Sequence, residues 1–368
     1  MLALNGMPVT RPRDLAADVP LAGLSTLGIG GPARHYLRAE GEEPVLEGTQ
    51  WAAAEGLPLL VLGGGSNLVV SDQGFPGLAL HVLARGVEAA FADGAVDLTA
   101  GAGEPWDAVV ERAVAEGWAG LECLSGIPGL VGATPMQNVG AYGQDVSETI
   151  VRVRALDLLR GEVVELTGDQ CRFGYRDSRF KREDRGRFVI LAVTYRLRPG
   201  GRPAVRYAEL ERHLAARRIA NPTLGDVRGA VIDIRRRKSM VMDPDDPNRR
   251  SVGSFFMNPV VPAEQADRLE AALRRDGALA MPDKMPAYPA PGGGVKLSAA
   301  WLIERAGLRR GDRRGRAGIS TNHTLAIVNC GGATAGEVVS LAREVRDRVR
   351  ERFGVTLTPE PVFVGLEF

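Results

Sequence analysis

Cysteine is scarce in this chain of 368 residues, and its three copies, Cys123, Cys171 and Cys330, lie far apart without a C-x-x-C spacing. Neither a disulfide framework nor a thiolate zinc site is expected, and a reducing compartment fits best. Net charge is scarce too. The 46 Lys+Arg and 45 Asp+Glu leave a formal +1, which argues against a general nucleic-acid binder. The first twenty residues lack the basic start and long apolar core of a signal peptide, so a cytoplasmic location is expected, with residues 1–20 as a loosely ordered lead-in. The histidines His35, His81 and His213 are scattered and suggest no catalytic group, while His323 beside Asn322 reads as a surface position, with a substrate contact as the alternative. No internal repeat or low-complexity tract occurs. What remains is ordinary globular material, 45% hydrophobic and 25% charged, long enough for two or three domains.

The most unusual stretch runs between Glu122 and Asp145, where 22 residues carry no charge. That length could span a bilayer. Gly126, Gly129, Gly132, Gly140 and Gly143, with Pro128, Pro135, Gln137 and Asn138, exclude a membrane helix. The stretch reads instead as a long neutral loop whose backbone can approach a large flat ligand closely. An ordinary buried connector is the plainer reading, but loops of this length in a compact domain are usually functional.

Around it the pattern is α+β. A nominal G-x-G-x-x-A at Gly28–Ala33 follows no strand-like run and has Pro32 where a helix should open, so a nicotinamide Rossmann domain is rejected. The apolar run Leu59–Leu62 predicts a buried strand that feeds Gly63-Gly64-Gly65-Ser66-Asn67 and a second strand at Leu68–Val70. Successive N–H groups in such a turn can form an anion-binding nest, with Ser66 and Asn67 as extra donors; a plain hairpin turn is the alternative. Further strands are predicted near 34–38, 78–82, 96–100, 150–158, 163–166, 188–197 and 325–328. Helices are predicted over 43–55, from Pro105, over 207–240, 262–273 and 297–306, and from the capping box Thr334-x-x-Glu337 to Gly354. The run Arg235-Arg236-Arg237-Lys238 reads by itself as a solvated face.

Three polar residues stand among apolar or glycine-rich neighbours: Arg176 in FGYRDS, Ser254 in GSFFMNP and Glu360 in TPEPVF. As a set they offer a guanidinium to grip a carboxylate, a hydroxyl to supply a proton and a carboxyl to share one.

The ordered segments GGGSN, SGIPGLVGATPMQNVGAYG, CRFGYRDSRFK, GSFFMNPVV, VKLSAAWLI and LTPEPVF resemble the UDP-N-acetylenolpyruvoylglucosamine reductases, the MurB family of flavoenzymes in peptidoglycan synthesis, in its longer form with a Tyr loop. The similarity runs from about Ser25 to Phe368 and is loose over 279–295 and 308–323. It implies an α+β chain with a PCMH/VAO-type FAD-binding fold of two subdomains and a C-terminal α+β substrate-binding domain. The implied boundaries are 1–84, completed by a C-terminal strand over 358–368, then 85–238 and 239–357. It implies non-covalent FAD, with Gly63, Gly64, Gly65, Ser66 and Asn67 on the pyrophosphate. Gly126, Ile127, Gly129, Gly132, Asn138 and Gly140 would line the flavin, with Arg235 near it. Tyr142, Tyr207, Lys238 and Asn258 match positions that contact the nucleotide sugar or the nicotinamide.

The implied reaction is ping-pong. NADPH reduces FAD and leaves, and reduced flavin then passes a hydride from N5 to C3 of UDP-N-acetylglucosamine enolpyruvate, giving UDP-N-acetylmuramate. Carbanion character at C2 is conjugated to the carboxylate, a charge that needs donors aimed at it. Arg176 suits that task, Glu360 would donate if protonated, and Ser254 is the expected proton donor to C2. The protein is expected to be a monomer, without nucleic-acid, membrane or metal partners. Two rivals remain: another PCMH-type FAD oxidoreductase, or a non-catalytic nucleotide-sugar binder.

Overall fold

The computed structural model describes residues 10–277 and 279–368; residues 1–9 of the expected lead-in lie outside the described residues. The chain divides into two units. The first comprises the chain up to Leu24, Gly31–Ser66 and Gln73–Pro244; the second comprises Ser25–Gly30, Asn67–Asp72 and Asp245–Phe368.

The first unit holds two larger sheets and a two-stranded ribbon, Gly140–Ala141 with Gln144–Asp145, among its described residues. Leu59–Leu62 and Pro32–Ala39 both lie parallel to Phe75–Val82, and Ala16–Pro20 joins the edge antiparallel to Pro32–Ala39. The expected lead-in is therefore ordered strand from Ala16. Pro32 opens a strand, not a helix, so the nominal dinucleotide motif has no helix to follow it. Helix α1, Glu42–Ala54, lies on this sheet through buried Val45, Trp51 and Ala52. Each apolar position recurs on the helical period that buries one face.

The second sheet is antiparallel. Its order is Glu162–Thr167, Ile150–Asp157, Phe188–Pro199, Ala95–Gly101 and Val87–Ala92, with Trp118–Ala119 paired to the far end of the central strand. Phe188–Leu197 is buried apart from Arg196 and half-buried Ala192, as the apolar run Phe188–Val193 leads one to expect. Helix α2, Trp106–Ala115, packs here; the indole of Trp106 lies 5.5 Å from the ring of Tyr195 and donates Nε1–H to the Leu124 carbonyl.

The helix expected over 207–240 is two helices, α3 at Ala208–Ala216 and α4 at Leu224–Arg237. Pro222 removes a backbone donor between them, and Thr223 then opens α4 with a capping box to Asp226. The arginine run ends α4, with Arg235 buried and Arg236 and Arg237 exposed, as a 100° step per residue demands.

The second unit carries α5 at Ala263–Arg275, α6 at Ala299–Arg305 and α7 at Ala335–Phe353. The Thr334–Glu337 capping box forms, and Gly354 ends α7 in the left-handed region with φ 65°. Two sheets accompany them, ordered Ser251–Ser254, Ala326–Asn329, Ala317–Ile319, Arg313–Arg314 and Val260–Pro262, Gly294–Leu297, Ala287–Pro289. Leu68–Val70 lies parallel to Val362–Val364, so no hairpin joins it to Leu59–Leu62. The excursion Asn67–Asp72 is fixed at its far end by Asp72, which accepts the N–H of Ala335 at 2.8 Å. No described helix is long and apolar enough to cross a membrane.

Candidate functional site

The long neutral loop is ordered by the groups that surround it. Glu122, only 1% exposed, accepts the N–H groups of Gly120 and Ala204 at 2.8 and 2.7 Å. Three consecutive residues at the start of α2 then tie down the loop. Pro105 bridges Leu130, the Trp106 N–H donates to the Gly129 carbonyl at 3.0 Å, and Asp107 accepts the Gly126 N–H at 2.6 Å. Val131 and Gly132 continue the attachment by donating to the carbonyls of Glu104 and Ala102. Ile127 is half-buried against the core of this unit.

The glycine turn after Leu59–Leu62 lies directly against this loop. A Cβ on Gly64 would stand 2.8 Å from the Cα of Gly129, and Ser66 donates its hydroxyl hydrogen to the Pro128 carbonyl at 3.2 Å. Backbone meets backbone here without room for a methyl group, the close approach for which glycine is needed. Gly63, Gly64, Gly65 and Ser66 thus meet Gly126 to Gly132 in one unit. Asn67 belongs to the other unit, where its side chain donates to the Glu360 carbonyl at 3.3 Å.

Further along, Asn138 takes a left-handed backbone (φ 47°), donates to the Gly174 carbonyl at 2.9 Å and accepts the Ser147 N–H at 3.0 Å. It couples the loop to the turn that carries Arg176. The Arg176 guanidinium donates to the Gly140 carbonyl and stands 3.6 Å from Asp145. A Cβ on Gly140 would fall 1.5 Å from Asp145 Oδ1 and 2.9 Å from Arg176 Nη1, so only glycine fits. The turn itself is braced by ion pairs to two buried carboxylates: Arg187 to Asp157 at 2.6 Å and to Asp184 at 3.0 Å, and Arg179 to Asp184 at 2.6 Å.

Arg235 is 9% exposed and donates through Nη2 to the Met240 carbonyl at 2.7 Å, but its buried Nε has no hydrogen-bond partner among the described residues. Gly126 packs on it, with Nε 3.6 Å from where a Cβ would be. Burial pushes the guanidinium down from its ordinary range; Tyr142 and Asp107 oppose that shift and Arg176 adds to it. Tyr142 meets Tyr207 edge-to-face at 5.6 Å, and burial pushes its hydroxyl up to about 12. Lys238 caps the end of α4 and pairs with Glu209 at 2.6 Å.

Ser254, Asn258 and Glu360 lie in the second unit. Ser254 ends the strand Ser251–Ser254, and the next residue, Phe255, accepts the Glu360 N–H at 2.9 Å while Phe256 bridges Pro359. The GSFF and TPEP segments, more than a hundred residues apart in sequence, are thus adjacent. Only Val362–Val364 of the last segment is regular strand. Asn258 accepts the Ala299 N–H at 2.9 Å and so also serves the start of α6.

Sequence alone did not reveal Asp107, Arg228 and the Asp157–Arg187–Asp184 group. Asp107 reads as a common acid in a first helical turn, and its partners at Gly126 and Arg228 are far away in sequence. Asp145 offered more of a signal, since it is the charge that ends the neutral run.

Known proteins bear on this geometry. Residues 33–167 match the family model of an FAD binding domain, and residues 245–364 match that of the UDP-N-acetylenolpyruvoylglucosamine reductase C-terminal domain. The UDP-N-acetylenolpyruvoylglucosamine reductase of Saccharopolyspora erythraea is 52% identical over 349 residues, covering 94% of each chain. The enzyme of that name from Thermobifida fusca is 46% identical over 356 residues, covering 96% of this chain and 99% of its own. Among solved structures, the crystal structure of UDP-N-acetylenolpyruvylglucosamine reductase (MurB) from Thermus caldophilus matches with a TM-score of 0.62 and 26% identity, over 94% of this chain and 97% of that one. The α+β fold with an FAD-binding domain is therefore the one expected, and by near full-length identity the chain belongs to the UDP-N-acetylenolpyruvoylglucosamine reductases, the FAD-dependent oxidoreductase family of peptidoglycan precursor synthesis.

Proposed function

We propose that the protein reduces UDP-N-acetylglucosamine enolpyruvate to UDP-N-acetylmuramate with NADPH, through non-covalently held FAD, as a cytoplasmic monomer. In this reading, residues 1–84 with 358–368, and residues 85–238, hold the cofactor, while residues 239–357 receive the nucleotide sugar. Bound FAD supplies the hydride transfer. One observation carries the reading: two glycine segments pack backbone on backbone at Gly64 and Gly129, and Gly126 of the same loop packs on a buried arginine whose Nε lacks a partner among the described residues. That arrangement fits a large anionic cofactor, since glycine backbone admits a flat group and a desolvated guanidinium favours an anion nearby. Gly63 to Asn67 would hold the pyrophosphate. The flavin would be lined by Gly126, Ile127, Gly129, Gly132, Asn138 and Gly140, with Arg235 close by. Tyr142, Tyr207, Lys238 and Asn258 would contact the sugar nucleotide or the nicotinamide.

The chain's own residues then manage charge on the substrate. Addition to the vinyl carbon leaves negative charge on its neighbour and on the attached carboxylate. Arg176, permanently cationic and held by Gly140 and Asp145, binds that carboxylate. Glu360, on a backbone fixed from both sides by Phe255 and Asn67, donates a hydrogen bond to it in protonated form. Ser254 delivers a proton to the carbanionic carbon.

Ser254→Ala tests the assignment through separate half-reactions. Bleaching of the flavin by NADPH should proceed at nearly the wild-type rate, while reoxidation by the enolpyruvyl sugar nucleotide should slow by roughly 10²–10⁴. Equal loss of both half-reactions, with fold and FAD retained, would remove Ser254 from the proton-donor role.

A further inference from the structure

Asp107 stands where the attachment of the loop and the charge of Arg235 meet. Its carboxylate accepts the Gly126 N–H at 2.6 Å and is gripped by both arms of Arg228, at 2.7 and 3.0 Å, from helix α4. Arg228 is itself nearly buried and also reaches Glu111 on the next turn of α2, at 3.5 Å. Gly126 in turn packs on the stem of Arg235, which lies about two turns beyond Arg228 on the same face of α4. Helix α2, the loop and helix α4 are therefore joined through a single carboxylate.

Arg235 needs a counter-charge. It is buried, and its only hydrogen bond to the described residues goes to the Met240 carbonyl. Of the two groups that favour its charged form, Tyr142 keeps its proton at neutral pH because burial pushes its hydroxyl to about 12. Asp107 is the group that stays negative. Burial alone would raise its carboxyl, but hydrogen bonds from Arg228 and Gly126 hold it below the usual carboxylate range.

We propose that Asp107 is a positioning residue for the flavin: its carboxylate fixes the Gly126 turn and, beside its pair with Arg228, adds negative charge that partly offsets Arg235 near the cofactor. The inference rests on the functional reading above. It separates two contributions, one through shape and one through field. Asparagine can still accept from Gly126 but carries no charge; alanine removes both.

Deflavinated protein titrated with FAD, and redox titration of the reconstituted protein, distinguish these contributions. Asp107→Ala should weaken FAD binding roughly tenfold or more, the scale of a hydrogen bond to a charged group. Asp107→Asn should leave affinity closer to wild type yet raise the flavin midpoint potential, because loss of a negative charge favours the more anionic reduced flavin. Arg228→Gln should lower the potential, since it removes a positive charge from the same cluster. A purely structural acid would show no such opposition of sign. Wild-type affinity and potential in both Asp107 variants, or changes in melting temperature alone, would overturn the proposal. Wild-type protein that takes up no FAD would instead overturn the functional reading.

Discussion

Two arginines of the same unit, Arg187 half-buried and Arg235 buried, have opposite surroundings. Arg187 is matched by Asp157 and Asp184, and its guanidinium stacks 4.9 Å from the Phe188 ring. Among the described residues, Arg235 has one carbonyl partner and an Nε without any. A buried cation whose donors are all engaged is part of the scaffold, while one left half engaged is destabilising unless something else arrives. Arg187 braces the turn bearing Arg176, and in the function proposed above Arg235 meets the cofactor.

The sharpest way to break this contrast is to replace each with methionine. Arg235→Met should weaken FAD binding by roughly tenfold to a hundredfold, the range for a hydrogen bond to a charged group, while the cofactor-free protein melts no lower than wild type. Arg187→Met should reverse the pattern: a melting temperature lower by roughly 5 °C, because buried Asp157 loses its partner, with FAD affinity little changed. Calorimetry of cofactor-free protein and fluorescence titration with FAD measure both. If the two variants behaved alike, the distinction between scaffold and ligand-seeking arginine would be lost.

A smaller effect is expected at the glycine contact. Gly64→Ala forces a methyl to within 2.8 Å of the Gly129 Cα, a backbone clash of about 1–3 kcal/mol. It should appear as weaker FAD binding together with a lower melting temperature. A variant that binds FAD as wild type does would show that the two segments can separate freely.

The mildest test is acid. Hydrogen bonds from Arg187 hold the Asp157 carboxyl below the usual range, against the opposing effect of burial. A carboxyl depressed in the folded state adds stability that is complete above its unfolded pKa of about 4 and lost as pH falls through its lower folded value. Melting temperature should therefore hold steady above about pH 5 and fall increasingly below pH 4. Asp157→Asn should flatten part of that acid limb. A wild-type profile in that variant would remove Asp157 from the scaffold.

Much of this was legible locally. The Thr334–Glu337 capping box, the stop at Gly354 and the apolar strand Phe188–Leu197 all carry their reason in adjacent residues. The break between α3 and α4 was missed in the helix expected over 207–240, although Pro222 before Thr223-x-x-Asp226 marks it. Pairing was not legible. Nothing in Leu68–Val70 announces that its neighbour is Val362–Val364, because a ladder bond depends on where the partner is delivered and not on its spelling. The same limit hid Asp107. Its role exists only once Gly126 folds back over the start of α2 and Arg228 arrives from α4.

That remote pairing has a bearing on synthesis. Leu68–Val70 leaves the ribosome well before Val362–Val364, the strand beside it, and Asn67 likewise waits for Val362 to donate to its carbonyl and for Glu360 to accept from its side chain. Until then the excursion lacks the strand that pairs with it. Arrival of that later segment is thereby what seats Glu360.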